Sequence, residues 1–432
     1  MSVSRTVPPT PPTSAGPACD AAARVANHPR RHRLAFASSP RSTLGVEWEM
    51  ALIDRDSLDL RQCAADVLAA VGDDPHVHGE MMLNTIELVS GARPTVSQCM
   101  EDLAFAFDRV LPVTDPLRVD LASAGTHPFA DPLVQKVTDA ERYARLVDRT
   151  RLWGHQMLIF GTHVHVGVEE RAKVLPILSA LLTRTAHLQC LSASSPFWAG
   201  TDTGYADNRA MMFQQLPTAG APEQLASWEQ LEGYTGDLIR TGVIEEFSEI
   251  RWDVRPSPRL GTIEVRACDA ATNLTELAGI AALTQCLVED FSRRLDRGQE
   301  LESMPDWYVA ENKWRSARYG MDAVLIVNAA GDEEPVADTI TRMLAELAPV
   351  AEDLGCAAEL DGVRATLETG ASYQRQIAAA HAAGGMKEAA VRLLLAEARA
   401  GRPLRPAEVL SSASPHHRNV QRHAGVGAEA HG

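Results

Sequence analysis

The sequence predicts an α+β fold built on a largely antiparallel sheet. Several short segments alternate apolar and polar residues with period two. Longer stretches between them carry apolar residues at helical spacing, and Ile250–Asp269 reads as a hairpin. No Rossmann or P-loop glycine motif is present, which argues against a doubly wound sheet.

Taken in order, Leu44–Asp54 (LGVEWEMALID) alternates as a strand, and alternation returns near Glu87 in Gly79–Ser90 (GEMMLNTIELVS). Ser97–Val110 places Met100, Leu103, Phe107 and Val110 on one helical face. Leu117–Ala124 reads as strand and Asp139–Arg151 as helix. Gly161–Val168 (GTHVHVGV) is a strand, and a long helix follows from Glu170 to about Leu191. Ser194–Ala221 is long and turn-rich, the kind of loop that tends to carry function. In the hairpin, Arg251, Asp253 and Arg255 alternate with Ile250, Trp252 and Val254, Pro256–Gly261 turns, and Thr262–Asp269 (TIEVRACD) returns. Asn273 followed by Glu276 resembles a capping box and opens a helix to about Arg297. Glu311–Ala400 is mostly helical by pattern, and the chain has no internal repeat.

The chain has 432 residues, enough for a large core. Residues 1–40, rich in Pro, Ser, Ala and Arg, read as a disordered leader ending near the basic run HPRRHR, and 411–432 as a disordered tail. Residues 41–410 form the expected catalytic domain, helical in its C-terminal part. A net charge of −16 argues against general nucleic-acid binding, which needs a basic footprint. The seven cysteines are odd in number and widely spaced, without a CxxC pair, which suits buried thiols in a reducing cytoplasm. Cys268 alone stands next to a charged strand face. No secretory h-region is visible, and Val174–Leu191, interrupted by Pro176, Arg184 and His187, reads as a buried helix and not a membrane span.

Three strands carry the chemistry. Residues i and i+2 of a strand share a face, so Glu47 pairs with Glu49, His163 with His165, and Glu264 with Arg266. Carboxylates in line are costly unless cations sit among them. Glu47 and Glu49 suit Mg²⁺ or Mn²⁺, or else form the wet side of an amphipathic strand. The odd spacing of Glu80 and Glu87 puts them on opposite faces of a regular strand, so either a bend intervenes or only one faces a site. The two histidines, between Gly161 and Gly167, point to a ligand role more than a core role. Arg266 beside Glu264 offers a guanidinium for phosphate, with an in-strand ion pair as the alternative. Arg255 either joins that clamp or pairs with Asp253. Arg209, in the turn-rich loop with Trp198, Asp202, Tyr205 and Asn208, is the candidate for holding a substrate carboxylate.

The segments LGVEWEMALID, GTHPFADPLVQKVTDAERY, GTHVHVGV, SASSPFWAGTDTGYADNR, IRWDVRPSPRLGTIEVRACDA and ENKWRSARYGMDA together resemble the type 2 glutamate–cysteine ligases, also called carboxylate–amine ligases. The resemblance runs from about Thr43 to Asp322. It implies a glutamine-synthetase-like fold, an open funnel of antiparallel strands with helices on its outer face. By that resemblance Glu47, His163 and Glu264 hold one Mg²⁺ (or Mn²⁺) and Glu49, Glu80 and Glu87 a second. His165 and Arg266 then contact ATP phosphates with Arg255 as helper, and Arg209 orients the substrate carboxylate. Trp48 departs from the group's more usual third glutamate (GVEEE), but lies on the opposite face of the strand.

The activity so implied is ATP-dependent amide formation through an acyl phosphate. The reference substrates are L-glutamate and L-cysteine, and the product is γ-glutamylcysteine. Nothing in the sequence identifies a cysteine pocket, so that activity can be weak and another carboxylate or amine the true substrate. The resemblance also implies a homo-oligomer, with no nucleic-acid or membrane partner. A metal-dependent amide hydrolase and a non-catalytic ATP or metabolite sensor are the alternatives.

Overall fold

The structure, a computed structural model, describes residues 33–412. Most of the expected leader and tail therefore lie outside the described residues. Residues 33–40 do not: Leu34 is buried, its carbonyl accepts from Trp228 Nε1 at 2.9 Å, and Ala37 N donates to Pro258 O at 2.8 Å. This stretch lies along the turn of the predicted hairpin. Gly261 in that turn has φ +69°, and a Cβ there would stand 1.8 Å from Ala37 O, so both its conformation and the approach of Ala37 require glycine.

The main sheet has seven strands: β1 (Leu44–Asp54), β2 (Val77–Gly79), β3 (Thr85–Val89), β4 (Val119–Ala122), β5 (Gly161–Gly167) and, after a separate small ribbon of β6 (Phe197–Trp198) and β7 (Thr201–Asp202), β8 (Val254–Ser257) and β9 (Thr262–Asp269). Its order is β2-β3-β1-β5-β9-β8, with β4 also on β1, and every pairing is antiparallel. The expected α+β class and antiparallel sheet are thus what the chain forms. A third pair, β10 (Val324–Ile326) and β11 (Glu333–Pro335), lies in the helical C-terminal part.

One face of the sheet is apolar. Val46, Trp48, Met50 and Leu52 of β1, Ile86 and Leu88 of β3, and Val164 and Val166 of β5 are all fully buried. They share one core with the helices Val96–Thr114, Arg171–Ser192 and Leu274–Asp296, which cover that face. Trp48 is among them, as its parity requires: its ring stacks on Phe107 at 6.2 Å and Nε1 donates to Ala271 O at 2.7 Å. Asn273 caps the helix Leu274–Asp296 by accepting from Glu276 N at 3.0 Å. The helix Arg171–Ser192 runs through Pro176. By length and composition it could cross a membrane, yet 83% of its most apolar window is buried inside the protein.

Three irregularities set the site. The first is a break between β2 and β3: the chain leaves the strand after Gly79 and rejoins at Thr85, so Glu80 and Glu87 are not on one regular strand. The second is a β-bulge. Thr162 pairs with Cys268 but Val164 pairs with Val265, so Arg266 and Ala267 together oppose His163. Strict alternation puts Cys268 beside Arg266, but the extra residue turns it into the helix-side core, and Asp269 turns the other way. The third is that β8 starts only at Val254, so Arg251 and Asp253 precede the paired strand instead of continuing it.

Candidate active site

Register builds the polar face of the sheet. Glu47 opposes His163, Glu49 opposes Glu87, His165 opposes Glu264, and Glu264 opposes Arg255. Above this face lies a cavity of about 820 Å³. Glu47, Glu49, Glu80, Glu87, His163, Arg209, Arg255 and Arg266 line it, while His165 and Glu264 are buried directly behind them.

Glu49, Glu80 and Glu87 each offer an oxygen within 4.8 Å of the others. The break after Gly79 is what lets Glu80 join, so both members of the irregular pair reach one point. None of the three forms a salt bridge among the described residues. Glu49 accepts from Gly161 N at 2.6 Å and Glu80 from Met81 N at 2.7 Å. Like charges directly across a ladder repel, and burial compounds the cost. Burial, then the neighbouring Glu80, pushes Glu49 up to about 8. Burial and the surrounding glutamates raise Glu87 well above the carboxylate range, and burial raises Glu80. Three partly buried carboxylates with raised values form an all-oxygen donor set suited to Mg²⁺ or Mn²⁺.

Glu47 anchors the neighbouring groups. Its Oε2 bonds His163 Nδ1 at 2.7 Å and its Oε1 lies 3.3 Å from His165 Nε2. Burial opposes ionisation of Glu47, but hydrogen bonds from both histidines hold its carboxyl well below the usual range. Burial and Arg266 push His163 down to about 4. Burial works against protonation of His165 too, but Glu264 and Glu47 leave it raised. Ligand atoms of Glu47, His165 and Glu264 converge, as do those of Glu47, Glu87 and His163. The expected trio of Glu47, His163 and Glu264 is thus divided between two neighbouring groups that share Glu47. The buried Nε2 of His165 faces two carboxylates, Glu47 Oε1 at 3.3 Å and Glu264 Oε1 at 3.7 Å, so it stands at the centre of the first group.

Glu264, 1% exposed, lies beneath two guanidiniums. Arg255 Nε bonds its Oε2 at 2.6 Å, and Arg266 Nη1 bonds its Oε1. Burial opposes its charge, but Arg266, His165 and Arg255 keep Glu264 far below the usual range. The in-strand ion pair therefore forms, and Arg255 pairs with Glu264 and not with Asp253. Asp253 is held by Lys313 at 2.6 Å.

Arg209 comes from the helix Asn208–Phe213 inside the long loop, and the cap of that helix sets its position. Asp207 accepts from Ala210 N at 2.7 Å. Both Nη atoms of Arg209 donate to Arg266 O at 3.2 Å, while its buried Nε has no partner among the described residues. Asn208 is structural, donating to Ser195 O and Thr203 Oγ1 at 2.7 Å each. Tyr205 stacks under Arg318, and neither Trp198 nor Asp202 lines the cavity. Gly161 makes the seat of Arg209 possible, since a Cβ there would stand 2.3 Å from Nη2. Gly161→Ala is expected to dislodge the guanidinium without removing it. KM for a carboxylate substrate should then rise about tenfold or more, the worth of one charge-assisted hydrogen bond. Steady-state kinetics of the folded variant measure this, and an unchanged KM would remove Arg209 from substrate binding.

Sequence reasoning missed several cavity residues: His78, Arg251, and Arg142, Tyr143, Arg145 and Arg149 of the helix Glu141–Thr150. The arginine spacing was readable in the sequence. What the helix faces depends on its place in the fold.

The model of glutamate–cysteine ligase family 2 (GCS2) matches residues 43–396. The chain belongs to glutamate–cysteine ligase family 2. It is 51% identical over 384 residues to the "Putative glutamate–cysteine ligase 2" of Mycobacterium ulcerans (strain Agy99), covering 89% of this chain and 97% of that protein. It is also 51% identical over 379 residues to the "Putative glutamate–cysteine ligase 2-1" of Arthrobacter sp. (strain FB24), covering 85% and 99%. Among solved structures it resembles a glutamate–cysteine ligase of Francisella tularensis in complex with AMP. The TM-score is 0.61 at 13% identity, over 87% of this chain and 92% of that one. A bifunctional glutathione synthetase of Pasteurella multocida gives a TM-score of 0.58 at 15% identity, over 83% of this chain and 52% of that one. At such identities these two likenesses are of fold. Within GCS2, Trp48 replaces no cavity-facing group, because its indole is committed to the opposite core.

Proposed function

We propose that the protein is an ATP-dependent carboxylate–amine ligase, with L-glutamate and L-cysteine, or a related carboxylate and amine, as substrates. One observation carries this reading: a group of three partly buried carboxylates, none in a salt bridge among the described residues, shares a cavity with Arg255 and Arg266. The acids suit divalent metal and the guanidiniums suit phosphate. Family membership supports the same activity.

In this reading Glu49, Glu80 and Glu87 would hold one Mg²⁺ or Mn²⁺, and Glu47 a second, with His165 and Glu264 or with His163 and Glu87. Bound metal neutralises phosphate charge. A carboxylate is a poor acyl donor because its leaving group would be oxide. Its oxygen attacks the γ-phosphorus of ATP, the bond to the bridging oxygen breaks, and ADP leaves. The amine then attacks the acyl carbon, loses a proton, and phosphate departs with the electron pair of the C–O bond. Phosphoryl transfer is mainly positioning and charge stabilisation. Arg266 and Arg255, fixed by Glu264, supply both at the transferred group, and Arg209 orients the donor carboxylate. We place the enzyme in the cytoplasm, a reading supported by six buried, free cysteines among the described residues.

The test is release of ADP and phosphate from purified protein with Mg²⁺ and ATP, adding amino acids singly and in pairs, glutamate plus cysteine first. Release requiring both partners is the expected result. Amide cleavage without ATP would favour a metal-dependent hydrolase, and ATP binding without turnover a sensor.

A further inference from the structure

Opposite the acidic floor, the helix Glu141–Thr150 borders the cavity with Arg142, Arg145 and Arg149. Their spacing of three and four residues puts them on one face. None of them pairs with a floor carboxylate. Arg142 stacks over the Tyr143 ring at 4.4 Å and bonds its hydroxyl, Arg145 pairs with Glu245, and Arg149 donates to Val243 O. Arg145 and Arg149 tie the helix to the rim at 242–249, while Tyr143 Oη makes a long contact of 3.4 Å to Glu80 Oε2 at the edge of the floor.

The attachment is slight. The helix has no buried residue and no side-chain N-cap, and it ends on Arg151 at φ +52°. Leu146, partly buried, is its apolar anchor. An exposed ion pair such as Arg145–Glu245 contributes little and is readily exchanged for a stronger partner. Segments so held open at low cost.

The row has a direction. Tyr143, next to Arg142, donates to Glu80 Oε2 at 3.4 Å, and Arg149 at the other end shares the cavity wall with Arg251, whose guanidinium it disfavours. It therefore runs from above the three-glutamate group towards the arginines of the β8–β9 side. At 1.5 Å rise per residue, Arg142 and Arg149 stand about 10 Å apart along the axis. Three cations at such intervals match a chain of phosphates. A single carboxylate needs only one, and Arg209 is already placed for it.

We propose that Arg142, Arg145 and Arg149 bind the phosphate chain of a nucleoside triphosphate from above, and that this contact draws the helix Glu141–Thr150 over the cavity as a cover. The proposal rests on the ligase reading for the identity of the nucleotide. A closed cover would also shield an acyl phosphate from water.

Calorimetric titration of the full chain with ATP plus Mg²⁺, and separately with inorganic tripolyphosphate, tests it. Wild type is compared with Arg145→Gln/Arg149→Gln and with Arg142→Gln, all checked for unchanged melting. The double variant should lose at least about tenfold in affinity for both probes, as for two charge-assisted contacts. Mn²⁺ binding at the floor should be unaffected. Amide exchange in 141–150 should slow on adding ATP to wild type and not to the double variant. Unchanged tripolyphosphate affinity in the variants overturns the proposal, as does exchange indifferent to nucleotide. A wild type that binds tripolyphosphate through these arginines but not ATP would sustain the row as a polyphosphate site and overturn the ligase reading. Binding of neither probe overturns both.

Discussion

Glu264→Gln should slow ATP-dependent ligation by roughly a hundredfold or more, the usual effect of removing one preorganised charged contact, while the protein stays folded. Glu264 holds two guanidiniums and stands beside His165, and glutamine keeps its shape while losing its charge. Arg255 and Arg266 would then repel each other without a counter-ion between them. Glu264→Ala is the harsher change. Breaking a buried pair by removing one partner costs about 3–5 kcal/mol, so alanine should also lower the melting temperature markedly. The rate of ADP release and the melting curve of each variant separate the two effects. Activity within about threefold of wild type in Glu264→Gln would make Glu264 a structural partner of the arginines and nothing more, since a preorganised contact is worth far more.

Metal-free protein should lose stability as pH rises, and Mg²⁺ or Mn²⁺ should restore it. The sign follows from the raised folded-state values of Glu49, Glu80 and Glu87. Between the unfolded carboxylate value and about 8 these three groups bind more protons in the folded chain than in the unfolded one, so their contribution falls as pH climbs. The lowered histidines His127, His163 and His187 give the opposite slope only below about 6.5. The carboxylate contribution is fully present below about pH 4, where both states are protonated. A divalent ion takes the place of those protons, so its binding should release protons and tighten as pH rises. Melting curves from about pH 6.5 to 8, where the lowered histidines no longer titrate in either state, with chelator and then with metal, read both effects. A flat metal-free profile would mean that the three carboxylates are already neutralised within the chain. Glu49→Gln should flatten the profile partly and weaken metal binding.

Much of this site could be read from residue parity. The pairing of Glu47 with His163 and of His165 with Glu264 follows once three alternating strands lie side by side, and Trp48 is sent to the core by the same rule. Parity fails wherever the backbone departs from a regular ladder. It could not settle Glu80 and Glu87, because the break between β2 and β3 leaves no local signature strong enough to place both. It misassigned Cys268, because one extra residue in β9 costs little and has no composition of its own. It carried Arg251 and Asp253 into a strand that starts later, because the partner claiming Asp253 is Lys313, far along the chain. The arginine row of Glu141–Thr150 is the clearest case: its periodicity is local, but what it faces is decided by tertiary placement alone.

The bulge at Arg266–Ala267 divides β9 into two parts with separate duties. Before it, Glu264 fixes the two arginines, and Arg266 at the bulge lines the cavity. After it, Asp269 takes Ser194 N at 2.8 Å and Ser195 Oγ at 2.7 Å, beneath Arg209. The two parts meet at Arg209, whose guanidinium donates to Arg266 O, so a change at the rear of this strand is felt by the arginine–glutamate clamp. Deleting Ala267 would spare the pairing on both sides of the bulge. Cys268 would stay opposite Thr162 and Asp269 opposite Gly161, with Arg266 alone opposing His163.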